Sequence, residues 1–453
     1  MLQPSRGYRD RSATRSLTGW VVGFGFSVLA DQVFFLSLAW AAVQLGVPGL
    51  VGLVLAAGSV PRLLVLLVGG ALADTRSPKR IIIGTDSARA LVMAAAALAL
   101  LSGAMNAWAL VAVAVVVGTL DGFFLPAVAA LPVRIAPQHL MGRVAGLRTI
   151  TQRVGMLGGG PLAGWLIHVF GPSAAFLGAA VLFALSVGSL ALVTVAPAIT
   201  AVTARQQRTS SRPAAGATDP PAGTSALART WADTTQGFRL VRRAPVLGGL
   251  LLLIGGMNFG FSGPFTAGIP LLAGAQGWGA PGAGLLIGAF GVGAAVSGLG
   301  LCLLGRVPRA GLVQLAAVLS MGLATGAVGV APSLPVALAA AVVLGLASGV
   351  FGTIVYALLL DATPPAEVGR VMALLSLVLE SSAALSFLVT GVLTTALDGA
   401  APFLLGGLAV VVTALTGLAR PDVRRLQMQP GTRSREDAAK PEESVSPPIL
   451  AQR

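Results

Sequence analysis

The chain has 453 residues, 55% of them hydrophobic and 10% charged, with a net charge of +14 and a mean hydropathy of +0.86. Soluble domains are about 25% charged, so polar side chains here are too few to cover a globule and the surrounding solvent is read as lipid. The basic balance does not indicate nucleic acid, because no basic groove is interleaved with aromatics. The lone Cys302 excludes an internal disulfide and a cysteine cluster, and His139 and His168 stand apart without metal-ligand spacing.

In chain order, Arg6, Arg9, Arg11 and Arg15 precede an apolar run from about Leu17 to Gly46. That run is too long for the apolar part of a leader and contains Asp31, so it is read as a first spanning helix. A span needs about 20 apolar residues. Breaks at Gly/Pro clusters and charges predict twelve, at 18–45, 48–73, 81–101, 106–131, 144–168, 173–195, 246–273, 282–304, 311–331, 334–360, 369–396 and 401–419. The fold class is therefore all-α and membrane-embedded, as two six-helix bundles over 18–195 and 246–419. A tail at 1–17, a linker at 196–245 and a tail at 420–453 are expected in the cytoplasm. In the linker, Leu227, Trp231, Thr234, Phe238 and Val241 recur at helical spacing near Arg239, Arg242 and Arg243. This fits either a helix lying on an anionic inner membrane surface or an ordinary solvated helix. The C-terminal tail, polar from about Gly431, is expected to be disordered.

With the N-terminus in the cytoplasm, Arg62, Arg89 and Arg153 fall inside helices, and the remaining Lys and Arg residues fall on the cytoplasmic side. The outer loops carry none, the segregation that orients membrane proteins.

The two halves repeat. An offset of 227 residues pairs Gly118 with Gly345, Gly122 with Gly349, Pro137 with Pro364, Gly142-Arg143-Val144 with Gly369-Arg370-Val371, and Gly164 with Gly391. Parallel repeats of this kind imply a transporter with its site near the midplane between the halves.

The polar hinge after the second span, Gly70–Arg80, reads GALADTRSPKR. With six plus six helices and a long central loop, it resembles the major facilitator superfamily, keeping Gly70, Asp74, Lys79 and Arg80 and departing at Thr75 and Pro78. The stretches FLPAVAALPVRIAP and GGGPLAGWLIHVFGPSAAF are similar to the multidrug and siderophore exporter branch typified by the enterobactin exporter. The matching loop of the second half, LGRVPR, lacks the acid. The resemblance implies a monomeric transporter in the cell membrane, with no cofactor and no metal, that rocks two halves around a central site.

Ionisable residues inside a membrane are costly and are functional candidates by default. Asp31, Arg62 and Glu380 lie at similar depths, and in the fold that the resemblance implies they form one acid–base–acid set near the midplane. One cation cannot neutralise two carboxylates, so either acid is a candidate to exchange a proton; by resemblance Asp31 is the acid tied to coupling. A static ion pair that fixes packing is the alternative. Asp86, Arg89 and Asp121 are read as structural pairs, since Asp86 and Arg89 share a helix face. Arg153 has no evident partner, with Ser297 and Cys302 the polar candidates on the eighth helix. Asn258 matches Asp31 in the repeat and is expected to face the cavity. Aromatics on helices 1, 4 and 7, among them Phe34, Phe35, Phe123 and Phe259, are candidates for a substrate cavity suited to amphipathic or cationic molecules; packing against neighbours is equally compatible with each.

The sequence thus reads as a secondary active transporter, an exporter of small amphipathic molecules in exchange for protons. An importer or facilitator is the alternative within the class. A transport-inactive sensor or scaffold is the alternative outside it, and a membrane enzyme finds no nucleophile–base pair, metal cluster or phosphate loop. Asp74 is expected to meet the start of the eleventh helix near Val368–Arg370, where the helix dipole favours an anion. Arg62–Glu380 would be a second rung on the same cytoplasmic side.

Overall fold

The computed structural model describes residues 6–75, 77–135, 141–193, 244–304, 307, 309–364, 367–424 and 426, without the side chains of 6–15, 67–75, 133, 134, 142, 143, 302–304 and 423. Among the described residues all regular structure is helical. The first half comprises α1 (Arg6–Gln44), α2 (Pro48–Thr75), α3 (Pro78–Leu101), α4 (Ala107–Ile135), α5 (Met141–Phe170) and α6 (Pro172–Ala191). The second opens with α7 (Pro245–Ala275), one rod whose Pro264–Gly268 turn is a π-helix. It continues through α8 (Gly279–Leu304), α9 (Ala310–Gly329), α10 (Leu334–Asp361), α11 (Val368–Ala396) and α12 (Ala401–Leu418), and ends in the short α13 (Pro421–Arg424). The expected linker helix and the tail from Gly431 lie outside the described residues.

Proline sets several of these starts. Pro78, Pro172 and Pro245 sit in the first turn of α3, α6 and α7, where a missing N–H costs nothing. Pro61, Pro126, Pro132 and Pro161 stay inside helices, as membrane helices allow when neighbours re-satisfy the freed carbonyls. One boundary differs from expectation: the helix begins at Arg6 rather than near residue 18. Arginines do not end a helix; they only mark where it leaves the apolar layer.

Eleven of the helices are long and apolar enough to cross a membrane, so the chain is a multi-pass membrane protein. Of the twelve long helices the one that falls short is α5, whose first half carries Arg143, Arg148 and Arg153. Arg148 and Arg370, which the sequence reading set on the cytoplasmic side, stand within α5 and α11.

The repeat reappears as packing. A Cβ on Gly118 of α4 would collide with the backbone of Gly58 on α2; its mate, Gly345 of α10, is pressed in the same way against Phe290 on α8. Between the halves, Gly164 of α5 lies against Ala280 and Pro281 of α8, and its mate Gly391 of α11 against Gly49 and Gly52 of α2. Small residues are what let membrane helices approach this closely.

The buried core divides into three. One cluster joins both halves: Leu50, Val51 and Val54 of α2 and Phe34 and Leu38 of α1 pack with Ala280 and Ile287 of α8 and Phe387 of α11. All of these lie toward the end away from the basic loops. At the basic end each half has its own core, around Trp20, Phe24 and Leu131 in the first and around Leu250, Val318 and Leu374 in the second. Met156 of α5 touches the second-half core and marks where the halves part. Beyond it toward the basic end, Gly146 of α5 and Gly369 of α11 face open space. The close backbone contacts between the halves are therefore gathered toward the apolar-loop end, and each half keeps a core of its own at the basic end.

Candidate functional site

The polar interior of the first half is built around Arg89. This side chain on α3 is fully buried, yet it faces three carboxylates from three helices. Its Nη1 lies 3.3 Å from Asp86 Oδ1 on its own helix and 3.6 Å from Asp31 Oδ1 on α1, while its Nη2 contacts Asp121 on α4. The guanidinium also stacks over Phe124, at 4.2 Å from the ring centroid, and lies 5.4 Å from that of Phe183 on α6. Asp86 is held further by hydroxyls: Ser27 of α1 and Ser186 of α6 donate to its Oδ2 at 2.8 and 2.7 Å. Of the three acids, Asp86 has no side-chain exposure, Asp121 has 10% and Asp31 has 23%. Asp31 is also the most distant from Arg89.

Arg62 makes a different contact. Its Nη2 lies 3.3 Å from Glu380 Oε1, joining α2 to α11 across the two halves. Ala383, one helical turn from Glu380, packs against the core that joins the halves. The pair is thus the inner edge of the seal at the apolar-loop end. This corrects the expectation that it ties the halves at the basic end. It also divides the expected acid–base–acid set, because Asp31 turns to Arg89 instead of Arg62. The two groups are linked through a cavity of about 20 Å³, room for roughly one water, that has both Arg62 and Asp121 in its wall.

A family model for the major facilitator superfamily matches residues 17–313. The chain belongs to the major facilitator superfamily. No protein among the curated sequences matches it in sequence. Solved structures share its fold: a mutant of the nucleoside transporter NupG, at TM-score 0.66 and 15% identity over 89% of this chain and 99% of that one, and a D-xylose-proton symporter, at TM-score 0.65 and 16% identity over 93% and 100%.

The superfamily's loop between α2 and α3 divides by role. Lys79 donates through Nζ to the carbonyls of Ala191 and Val193 at 2.9 and 2.6 Å, closing the C-terminal end of α6. Arg80 is exposed. Gly70 and Asp74 fall in the last turns of α2, and the expected contact of the Asp74 side chain with α11 lies outside the described residues.

Asn258 does not offer its amide to a cavity. It donates to the Leu379 carbonyl and to Ser382 Oγ of α11, both at 2.8 Å, and accepts from Ser262 at 2.9 Å. These bonds flank Glu380, so Asn258 holds the segment that presents the carboxylate. The Phe259 carbonyl accepts from Ser386 of α11, and its ring is half-buried. Phe34 is a core residue, and Phe35 joins it around the water-sized cavity, which is too small for a solute. Phe123 is half-buried on α4. Ser297 donates its hydroxyl to the Ala294 carbonyl of its own helix, and Arg153 reaches toward Gly352 of α10. Ser27, Ser186 and Phe183 were not singled out from the sequence. Ser27 carried a signal, since it lies one turn before Asp31 on the same face of α1.

Proposed function

We propose that this superfamily member is a proton-coupled secondary transporter of the cell membrane, in which Asp31 carries the proton and Arg62–Glu380 is the removable tie between the halves. The carrying observation is the charge count around Arg89: three carboxylates from α1, α3 and α4 share one guanidinium. An excess of buried negative charge is expensive and is relieved by binding protons. Asp86 and Asp121 are locked by hydroxyls or by close contact, which leaves Asp31, the loosest and most exposed, to exchange.

The basic end faces the cytoplasm on the positive-inside reading, with both termini there, so the described conformation is inward-facing. Opening outward requires the Gly49–Gly52/Gly391 and Gly164/Ala280 contacts to separate and Arg62–Glu380 to part. Asp74 would then meet the start of α11 as the halves close at the cytoplasmic end. The chain acts as a monomer on small amphipathic solutes and performs no covalent chemistry. Export in exchange for protons is the direction that the sequence of α4 and α5 supports by resemblance. Import with protons is the second reading, favoured by the fold likeness to a D-xylose-proton symporter.

Reconstituted vesicles with an imposed pH gradient test this. Solute movement that follows the gradient in wild type and is lost in Asp31→Asn supports coupling, and the sign of the movement separates export from import. Gradient-driven movement retained in Asp31→Asn would remove Asp31 from the mechanism; none in wild type would favour a sensor or scaffold.

A further inference from the structure

Resting on the transporter reading, the geometry points to Arg148 and Arg153 of α5 as the anion-recognising part of the substrate site: the transported molecule carries a carboxylate, phosphate or sulfonate group on an apolar body.

Both arginines lie on a helix that borders the seam between the halves. From Leu157 outward, α5 packs tightly on α8, through Gly160 against Gly284 and Leu157 against Gly291. Both arginines sit on the other side of that contact, where the halves part. Their side chains reach across to one face of α10. Arg153 Nη2 comes within 4.0 Å of where a Cβ on Gly352 would stand, and Tyr356, one turn further, lies near Arg148.

Neither arginine meets a carboxylate among the described residues, whereas Arg62 and Arg89 both do. Arg148 Nε is buried without a hydrogen-bond partner, and its guanidinium lies 5.9 Å from the Phe24 ring. The repeat explains why Arg153 is left over. It occupies the position that Glu380 holds in the second half, and the offset that pairs them maps Arg62 onto Ala289. A structural ion pair would require an acid there, and alanine supplies none. Arg153 is also twelve residues into α5, about 18 Å from its start, too deep to reach headgroups at the basic end. Two half-buried cations with no counter-charge among the described residues are costly, and an anionic ligand entering between α5 and α10 offsets that cost.

Three probes with one naphthalene body test the assignment: naphthalene-2-sulfonate, 2-naphthylmethyl-trimethylammonium and 2-naphthol. In thermal unfolding of the full chain in neutral detergent, the sulfonate is expected to raise the midpoint saturably and the ammonium to leave it unchanged. The Arg148→Gln/Arg153→Gln variant, if folded as wild type by its own midpoint, should bind the sulfonate about tenfold or more weakly, the loss expected for charge-assisted hydrogen bonds. Arg148→Lys/Arg153→Lys should restore part of the binding. Equal binding by wild type and the Gln variant, preference for the ammonium, or no binding of the sulfonate overturns the anion site. Stabilisation by phosphatidylglycerol in neutral-lipid vesicles, without stabilisation by the sulfonate, assigns the arginines to lipid and overturns it as well. Flux in vesicles separates this inference from the reading beneath it. Sulfonate binding without movement leaves the anion site and removes transport. Gradient-driven movement of the ammonium, unaltered by the Gln variant, leaves transport and removes the anion site.

Discussion

Arg62 and Glu380 meet at 3.3 Å across the two halves, with their side chains 26% and 16% exposed. The pair stands where the joined core ends and the parted region begins, so it stabilises one of the two arrangements of the halves and not the other. A contact of this burial is worth about 1–3 kcal/mol, between exposed and fully buried pairs. Glu380→Gln removes it and should shift the balance toward the outward-open arrangement by roughly tenfold or more. Thiol labelling at Leu50→Cys, buried in the joined core, should accelerate in a Cys302→Ser background. The exchange Arg62→Glu/Glu380→Arg should return labelling to the wild-type rate. Labelling unaffected by Glu380→Gln would show that the pair ties nothing.

Asp31 and Asp86 share Arg89 but should respond differently to amidation. Asp86 accepts from Ser27 and Ser186 and has no exposure, so Asp86→Asn turns a hydrogen-bond acceptor into a group that must donate where two donors already point. Breaking such a buried network costs about 3–5 kcal/mol, and the expected result is poor yield and a lower unfolding midpoint. Asp31→Asn, at a looser contact, should unfold near the wild-type midpoint, lose accumulation driven by a pH gradient, and retain exchange of solute for solute. The assignment fails if the two variants change places in these measurements.

Helix number, order and the repeat were legible because long apolar runs and a constant offset survive without knowledge of packing. The partners of charges were only partly legible. Depth counting placed Asp31, Arg62 and Glu380 at one level, and the helix arrangement that the resemblance implies set α2 against α11; the two together anticipated the Arg62–Glu380 contact. Depth does not say which way a side chain turns about its helix, and Asp31 turns inward to Arg89 within its own bundle. The three-residue spacing of Asp86 and Arg89 pointed to one contact of that cluster and the comparable depth of Asp121 to another; the contacts with Asp31, Ser27 and Ser186 arise where α1 and α6 converge on α3, which no local spacing encodes. Asn258 misled for a related reason. Its repeat mate Asp31 suggested a cavity, but an amide can satisfy itself by bridging to α11, and it does so at Leu379 and Ser382.

The seal at the apolar-loop end predicts a cross-link. A Cβ on Gly49 would lie 2.9 Å from Thr395 Oγ1, close enough for a disulfide between Gly49→Cys and Thr395→Cys, whose Cβ atoms need about 3.5–4.5 Å. Oxidation in a Cys302→Ser background should form the bond quantitatively and stop transport, and reduction should restore it. A cross-link that forms without arresting flux would mean that this end does not open during the cycle.

Lys79 separates the two roles that its loop can play. Its ammonium closes the end of α6 on the Ala191 and Val193 carbonyls, where a cation is favoured both by the unpaired acceptors and by the helix dipole. Lys79→Met should therefore cost about 1 kcal/mol of stability and lower the unfolding midpoint slightly, with coupling to the pH gradient unchanged. Asp74→Asn should act in the opposite sense, leaving the midpoint near wild type while slowing closure of the cytoplasmic end, read as increased labelling at Gly146→Cys. If Lys79→Met instead abolishes flux with no change in midpoint, the lysine belongs to the gate, and the α6 contact is incidental to it.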